Sequence, residues 1–294
     1  MPHEVQVWAV DVSAWNCAPY TRVDPRPVAY AFDGDVEALL GHDAGEAQRV
    51  RRYLRGIDRV RSLVARLLPR LLVAQGGECA WRDVRMAATP EGRPYVCAPA
   101  AQYDLNLTHD GDWVVMAFSP HTRVGVDVMQ VALPPMEEST RTFCATMAAS
   151  MTPAERAWVA APAAEREVLE RLLHVWTYKE ALTKNMGHGL GFDFARIQVP
   201  LAPDDTRLWV AGAVSEAYRF VDVALPSGAA HAQPGSRVAV ALGPRAWAGA
   251  PRVESAPHDE AVRAGWLRVW TYEAVVREAH AACYRSSGVW KKAA

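Results

Sequence analysis

Val175-Trp176-Thr177-Tyr178-Lys179-Glu180-Ala181-Leu182-Thr183-Lys184 is the stretch on which the reading of this chain turns. It continues Val168-Leu169-Glu170-Arg171-Leu172-Leu173-His174 and runs on to Gly187. Leu169, Leu172, Leu173 and Trp176 recur at helical spacing and define one face. Gly187 is a natural C-terminal cap, because glycine enters the left-handed conformation without a Cβ penalty. Steps of four residues from Trp176 reach Glu180 and then Lys184. A carboxylate and an ammonium therefore prolong a line of large apolar side chains. Taken alone, this is a solvated Glu–Lys pair worth about 0.2–0.5 kcal/mol.

The use of charge elsewhere points to more. The chain has only four lysines, Lys179, Lys184, Lys291 and Lys292, and otherwise carries its positive charge on arginine. Two of the four fall inside this one helix. Lysine is a compact donor whose proton can be made labile, which arginine is not. The 294 residues, 50% of them hydrophobic, suit two domains better than one. A net charge of −1 provides no field to attract nucleic acid or an anionic membrane, so neither is an expected partner. Five scattered cysteines, none in a C-x-x-C pair, read as reduced buried thiols in a cytoplasmic protein. No basic segment leads into an apolar run at Met1, and no stretch is long enough to span a membrane.

Working outward, Val5–Val12 reads as a first strand, followed by loops from Ala18 to about Gly45. A long helix is expected from Glu46 to Ala74, with Pro69 kinking or breaking it near its end. Its eight arginines form a solvated face, although those at the N-terminal end, Arg49 among them, could grip phosphate. Asp104-Leu105-Asn106-Leu107-Thr108-His109 alternates like a half-buried strand. Asp110-Gly111-Asp112 is a hairpin turn, with Trp113–Phe118 as the return strand. Val124–Met129 is a strand carrying one carboxylate, Asp127. That is costly unless the carboxylate is paired, metal-bound or satisfied at a strand end. Thr152-Pro153-Ala154-Glu155 opens a helix with a capping box. Strands follow at Phe192–Val199, Leu208–Val210, Tyr218–Ala224 and Val238–Leu242. Residues 243–258 read as a linker, and 259–284 as one amphipathic helix. Strands plus one long helix occur in each half, which hints at a pseudo-repeat.

Asn106-Leu107-Thr108-His109-Asp110-Gly111-Asp112, Gly125-Val126-Asp127-Val128-Met129 and Trp176–Lys184 stand in an order and at spacings that resemble the 4′-phosphopantetheinyl transferase superfamily. Arg49-Val50-Arg51-Arg52-Tyr53 and Gly92-Arg93-Pro94 fit as well, so the resemblance covers about residues 45–242. Met129 and Gly187-His188-Gly189-Leu190-Gly191 look like the eukaryotic broad-specificity branch. The resemblance implies an α/β (α+β) pseudo-dimer of two similar halves, each a small, mostly antiparallel sheet with a long helix. The halves would be residues 1–123 and 124–243, with 244–294 a linker and helical extension.

It also implies a reaction in which the phosphopantetheine arm of coenzyme A moves to a serine of an apo carrier domain, releasing adenosine 3′,5′-bisphosphate. Asp127 and Glu180 would bind Mg²⁺ against the diphosphate. Glu180 would double as base, Lys184 would neutralise the diphosphate, and Lys179 would be the reserve for that role. Arg49, Arg93, Asn106, Leu107, Thr108 and His109 would contact coenzyme A. Bacterial members often carry a glutamate at the position of Met129; here Asp110 is the expected substitute as third metal ligand. Ala88 and Glu91 depart from the basic residues of the adenine-binding turn, leaving Arg93. The expected acceptors are carrier domains of fatty acid synthase, polyketide or peptide synthetases, or an aminoadipate reductase, served by a monomer. The competing reading is a catalytically inactive coenzyme A-binding protein on the same scaffold.

Overall fold

Val7 and Ala9 leave the first strand on one side, Trp8 and Val10 on the other, and all four are buried. A strand buried on both faces needs a layer above and a layer below. The computed structural model shows both, and describes residues 4–15, 26–77, 79–100, 103–188, 191–201, 206–227, 234–247 and 253–286. One sheet, ordered β13-β1-β5-β4, consists of β1 (Gln6–Asp11), β4 (Asp104–Asp110), β5 (Trp113–Ser119) and β13 (Leu267–Thr271). The other, ordered β12-β10-β11-β6, consists of β6 (Val124–Gln130), β10 (Arg219–Leu225), β11 (Ser236–Leu242) and β12 (Val253–Ala256). Val7, Ala9 and Val115 of the first sheet share an apolar layer with Val126, Val128 and Val240 of the second, so the sheets lie face to face. Helices α3 (Gly56–Gln75) and α8 (Tyr272–Ser286) cover the outer side of the first sheet. Helix α6 (Glu165–Met186) covers the outer side of the second, packing Tyr178, Ala181 and Leu182 near Ala239 and Ala241.

Each half follows the same plan. The first runs β1, helices, the hairpin β2 (Arg85–Ala88) and β3 (Pro94–Ala98), then β4 and β5. The second runs β6, helices ending in α6, the meander β7 (Ile197–Gln198), β8 (Leu208–Val210) and β9 (Ala213–Ser215), then β10 and β11. In both, the first strand pairs antiparallel with the last, and the last with the one before it. The two similar halves expected from the sequence are therefore present. No helix among the described residues is long and apolar enough to cross a membrane.

Five expectations need correction. The arginine-rich helix is broken into α2 (Ala44–Arg51) and α3, with Asp43 capping α2 through its side chain. A continuous helix would carry Leu54 onto the stripe of Val50, yet Leu54 is 96% exposed. Gly56, a poor helix-interior residue, starts the second piece. Pro69 does not end α3, which runs on to Gln75; the cost is the missing N–H opposite the Ala65 carbonyl. The segment read as loop before Gly45 contains α1 (Arg26–Leu40), whose Phe32, Val36, Leu39 and Leu40 are buried at helical spacing. Residues 253–286 are not a linker and one helix. They form β12, α7 (His258–Arg263), β13 and α8, with Gly265 at φ +79 ending the α7 turn. Leu267-Arg268-Val269-Trp270-Thr271 is rich in β-branched and aromatic residues, and it pairs parallel with β1. Among the cysteines, Cys17 lies outside the described residues; Cys79, Cys144 and Cys283 are only half-buried and Cys97 is exposed, so these thiols are not core.

Helix α6 is held close to its sheet. Gly187 caps it at φ +83, as expected; Gly189 and Leu190 of the following loop lie outside the described residues. A Cβ at Gly125 of β6 would stand 2.1 Å from the Ala181 carbonyl oxygen and 2.3 Å from the Asn185 nitrogen. Only glycine lets the helix backbone approach the strand this closely. On the same helix, His174 Nε2–H donates to the Pro200 carbonyl over 2.6 Å, and its ring lies 4.2 Å from that of Tyr178. Burial, reinforced by the Arg237 charge, pushes its imidazole down to about 4.

Two tests follow from this packing. Gly125→Ala will lift α6 from β6 and cost about 1–3 kcal/mol in urea unfolding. His174 stays neutral in the fold while the unfolded chain binds a proton below its ordinary value of 6.5. Stability therefore rises with pH between about 4 and 6.5 and is lost as pH falls through that window, by up to about 1.4 kcal/mol per unit. Urea midpoints from about pH 7 down to about pH 5 will show this slope, and His174→Gln will flatten it.

Candidate active site

The polar residues of β4 alternate with Leu105 and Leu107, but they do not face water. Asp104 Oδ2 accepts from the Val124 N–H (2.7 Å), Asn106 Oδ1 from Val126 N–H (3.0 Å) and Asp110 Oδ2 from Gln130 N–H (2.8 Å). The open edge of β6 thus finds its acceptors on side chains of the other half, where a neighbouring strand would otherwise supply carbonyls. The remaining polar residue of that face, Thr108, donates to Asp127 Oδ1 over 3.1 Å.

Asp127 is where the halves meet. Lys184 Nζ reaches the same Oδ1 at 2.6 Å and Thr108 Oγ1 at 3.3 Å. Asp127 is 4% exposed, and its second oxygen, Oδ2, is buried with no hydrogen-bond partner. Burial pushes its carboxyl above the usual range, against the pull of Lys184 and Thr108; Asp110 adds to the rise. Beside it opens a cleft of about 310 Å³, lined by Ala65, Leu107, Thr108, His109, Asp110, Val128, Met129 and Lys184 as well as Asp127. Glu180, one turn before Lys184, is half-buried; it is not among the residues lining the cleft, but it lies near enough to Lys184 and Asp127 for their charges to act on it. Its carboxyl is raised first by burial; Lys184 opposes the shift and the charge of Asp127 adds to it. That carboxylate makes no hydrogen bond or ion pair among the described residues. Desolvation, then the Arg61 guanidinium, holds the His109 imidazole below its ordinary range, although part of the ring reaches solvent at the cleft mouth.

The donor set fits a small divalent cation. Mg²⁺ is held by one or two carboxylates plus phosphate oxygens and water rather than by a full protein cage. Asp127 has an unpartnered buried oxygen, and Glu180 has an unengaged carboxylate coupled to it. Asp110 is the third ligand expected from the sequence. Asp110 lines the cleft, but one oxygen holds Gln130, and no three His, Cys, Asp or Glu side chains among the described residues gather at metal spacing.

Several expected contacts have other work. Arg93 is buried and is not among the residues lining the cleft. It donates to the carbonyls of Lys184 (2.8 Å), Leu105 (3.1 Å) and Val124 (2.6 Å) and pairs with Asp104. It ties α6, β4 and β6 together at one point. Asn106 is likewise committed to β6. Lys179 is fully buried, bonded to Glu155 at 2.5 Å and to the Ser150 and Phe194 carbonyls. It pins α5 (Pro153–Val159) to α6 and takes no part in the cleft. Arg49 is exposed on α2 and paired with Glu46 at 3.0 Å, outside the cleft. Leu107, Thr108, His109, Asp127 and Lys184 come together as expected.

Sequence reasoning missed Arg61, which holds the Gly111 carbonyl at the β4–β5 turn and stands close enough to His109 to shift it. Its signal was hidden among eight arginines of one stretch. If Arg93 is a staple, Arg93→Met will strand three carbonyls and Asp104. Urea unfolding will then report a loss of about 3 kcal/mol or more.

Comparison with known proteins agrees with this arrangement. Residues 29–121 match the family model described as 4′-phosphopantetheinyl transferase, N-terminal, and residues 123–229 match that of the 4′-phosphopantetheinyl transferase superfamily. A phosphopantetheinyl transferase of Thraustochytrium sp. is 34% identical over 205 residues, covering 68% of this chain and 67% of the relative. The 4′-phosphopantetheinyl transferase pptA of Paxillus involutus is 33% identical over 227 residues, 74% of this chain and 80% of the relative. The human L-aminoadipate-semialdehyde dehydrogenase-phosphopantetheinyl transferase is 28% identical over 188 residues, 60% of each chain. With matches of this extent to both halves, and a cleft built where the halves join, the chain belongs to the 4′-phosphopantetheinyl transferase superfamily.

Proposed function

We propose that the cleft between β4, β6 and α6 moves the 4′-phosphopantetheine arm of coenzyme A to the serine of an apo carrier domain, releasing adenosine 3′,5′-bisphosphate. Family membership supports the reaction class. The observation that carries the site assignment is the meeting of Asp127, Thr108 and Lys184 within 3.3 Å at the joint of the two halves. Asp127 and Glu180 would hold Mg²⁺, which when bound screens the diphosphate and stabilises the leaving phosphate.

The chain's own residues supply the rest. The serine Oγ attacks the β-phosphorus, and the bond from that phosphorus to the bridging oxygen of the departing nucleotide breaks. Glu180 takes the serine proton. Its raised carboxyl makes it a stronger base than a fully solvated glutamate. Lys184 Nζ donates to the diphosphate and meets the charge that grows on the leaving group. His109 offers a ring N–H to a phosphate at the cleft mouth, with the Arg61 charge behind it. Ala65 and Leu107 give the pantetheine arm an apolar wall.

The acceptors are carrier domains of the kind found in fatty acid synthase, polyketide and peptide synthetases and aminoadipate reductase. The human relative's name supports the last of these. Mass spectrometry of a panel of apo carrier domains, each mixed with coenzyme A, Mg²⁺ and this chain, tests the proposal. One phosphopantetheine should add to one serine. Asp127→Ala and Glu180→Ala should each slow the addition by about 100-fold or more. Tight coenzyme A binding with no addition to any carrier would instead identify a binding protein.

A further inference from the structure

We propose that Lys184 is an internal counter-ion that keeps bare divalent cations off Asp127 and yields the site to a cation that arrives together with a diphosphate. The inference rests on the assignment of Asp127 and Glu180 to metal binding. Lys184 Nζ already engages Asp127 Oδ1 at 2.6 Å, so the ammonium and the carboxylate offset one another. A cation entering alone must sit beside an ammonium held at the same carboxylate, and like charges at that range repel strongly in a partly buried site.

The chain offers little in return. Strand alternation places Met129 on the same face as Asp127, and both line the cleft. A thioether is a poor ligand for a hard cation. With no three-residue acidic or histidine cluster among the described residues, the protein contributes two carboxylates, one of them shared.

A diphosphate changes both sides of this balance. It brings hard oxygens for the cation and new acceptors for Lys184 Nζ. Thr108 Oγ1, 3.3 Å from Nζ, gives the ammonium a partner during the exchange. Cation and coenzyme A therefore bind with positive coupling, and each raises the affinity of the other by the same factor. Lys184 acts here as a positioning residue as well as a phosphate contact. It sets which form of the cation the cleft accepts.

The test measures Mn²⁺ binding by electron paramagnetic resonance, with and without saturating coenzyme A, at about pH 8 where carboxylates are ionised. Wild-type protein should bind Mn²⁺ about 10- to 100-fold more tightly when coenzyme A is present. Lys184→Met should bind Mn²⁺ alone about 10-fold more tightly than wild type and show a smaller coupling. Lys184→Gln, which keeps a hydrogen bond to Asp127 without the charge, should do the same and serves if Lys184→Met does not fold. Lys184→Arg should retain weak binding of the bare ion. Unchanged or weaker binding of bare Mn²⁺ in a folded, neutral Lys184 variant, with wild-type coupling intact, overturns this proposal alone. Wild-type protein that binds coenzyme A but no Mn²⁺ in either condition overturns the metal assignment beneath it.

Discussion

A carboxylate in the middle of a doubly buried strand costs several kcal/mol unless its charge and lone pairs are compensated. Asp127 sits in that position, and its compensation comes from two other elements. Thr108 arrives on β4 of the other half, and Lys184 arrives on α6. Lys184 would not reach without the glycine at 125, which lets the helix backbone settle onto β6. Nor would β6 stay beside β4 without the acceptors that Asp104, Asn106 and Asp110 present to its edge. One expensive group thus sets the distance between helix and strand and the register between the halves. The oxygen left without a partner is the residue of that compensation, and it is the atom around which the chemistry is proposed.

The two lysines of α6 show how finely direction matters. Lys179 and Lys184 lie on one helix about 140° apart. The first is walled in by Glu155 and two carbonyls and welds the helix to α5. The second is partly open and looks into the cleft. Both carry the same charge, yet only one can meet a substrate. Arg93 repeats the lesson on a turn. The family pattern places a cation there for the nucleotide, whereas here the guanidinium has turned inward and closes the C-terminal end of α6, where positive charge is favoured.

Much of this site was legible before any coordinates. Period-2 alternation located β4, apolar runs bounded by turns located β5 and β6, and apolar spacing with Gly187 located α6, because each of these elements is regular and bounded by its own turn or cap. Asp127 and Lys184 could be named because their chemistry is unusual for the positions they hold, and Thr108 and His109 because they match the family's pattern. What stayed hidden depended on direction and on distant partners. A strand alternating polar and apolar residues reads as half-solvated, and nothing local reveals that Asn106 and Asp104 face another strand. The break at Leu54 was obscured because arginines on both sides continue the helical pattern. Residues 267–271 carry apolar groups that suit either period, and the choice between them is made by β1, some 260 residues earlier in the chain.

That last pairing carries a consequence for how the molecule is made. β1 and its outer neighbour β13 lie some 260 residues apart in the chain. β12 closes onto β10 in the same late stretch, and α8 then covers α3. Both sheets therefore wait for residues 253–286 before their edges and one outer layer are in place. Contacts of such long sequence separation slow folding and leave apolar surface open in the meantime. The first sheet stays half-covered until residues 267–286 have joined it.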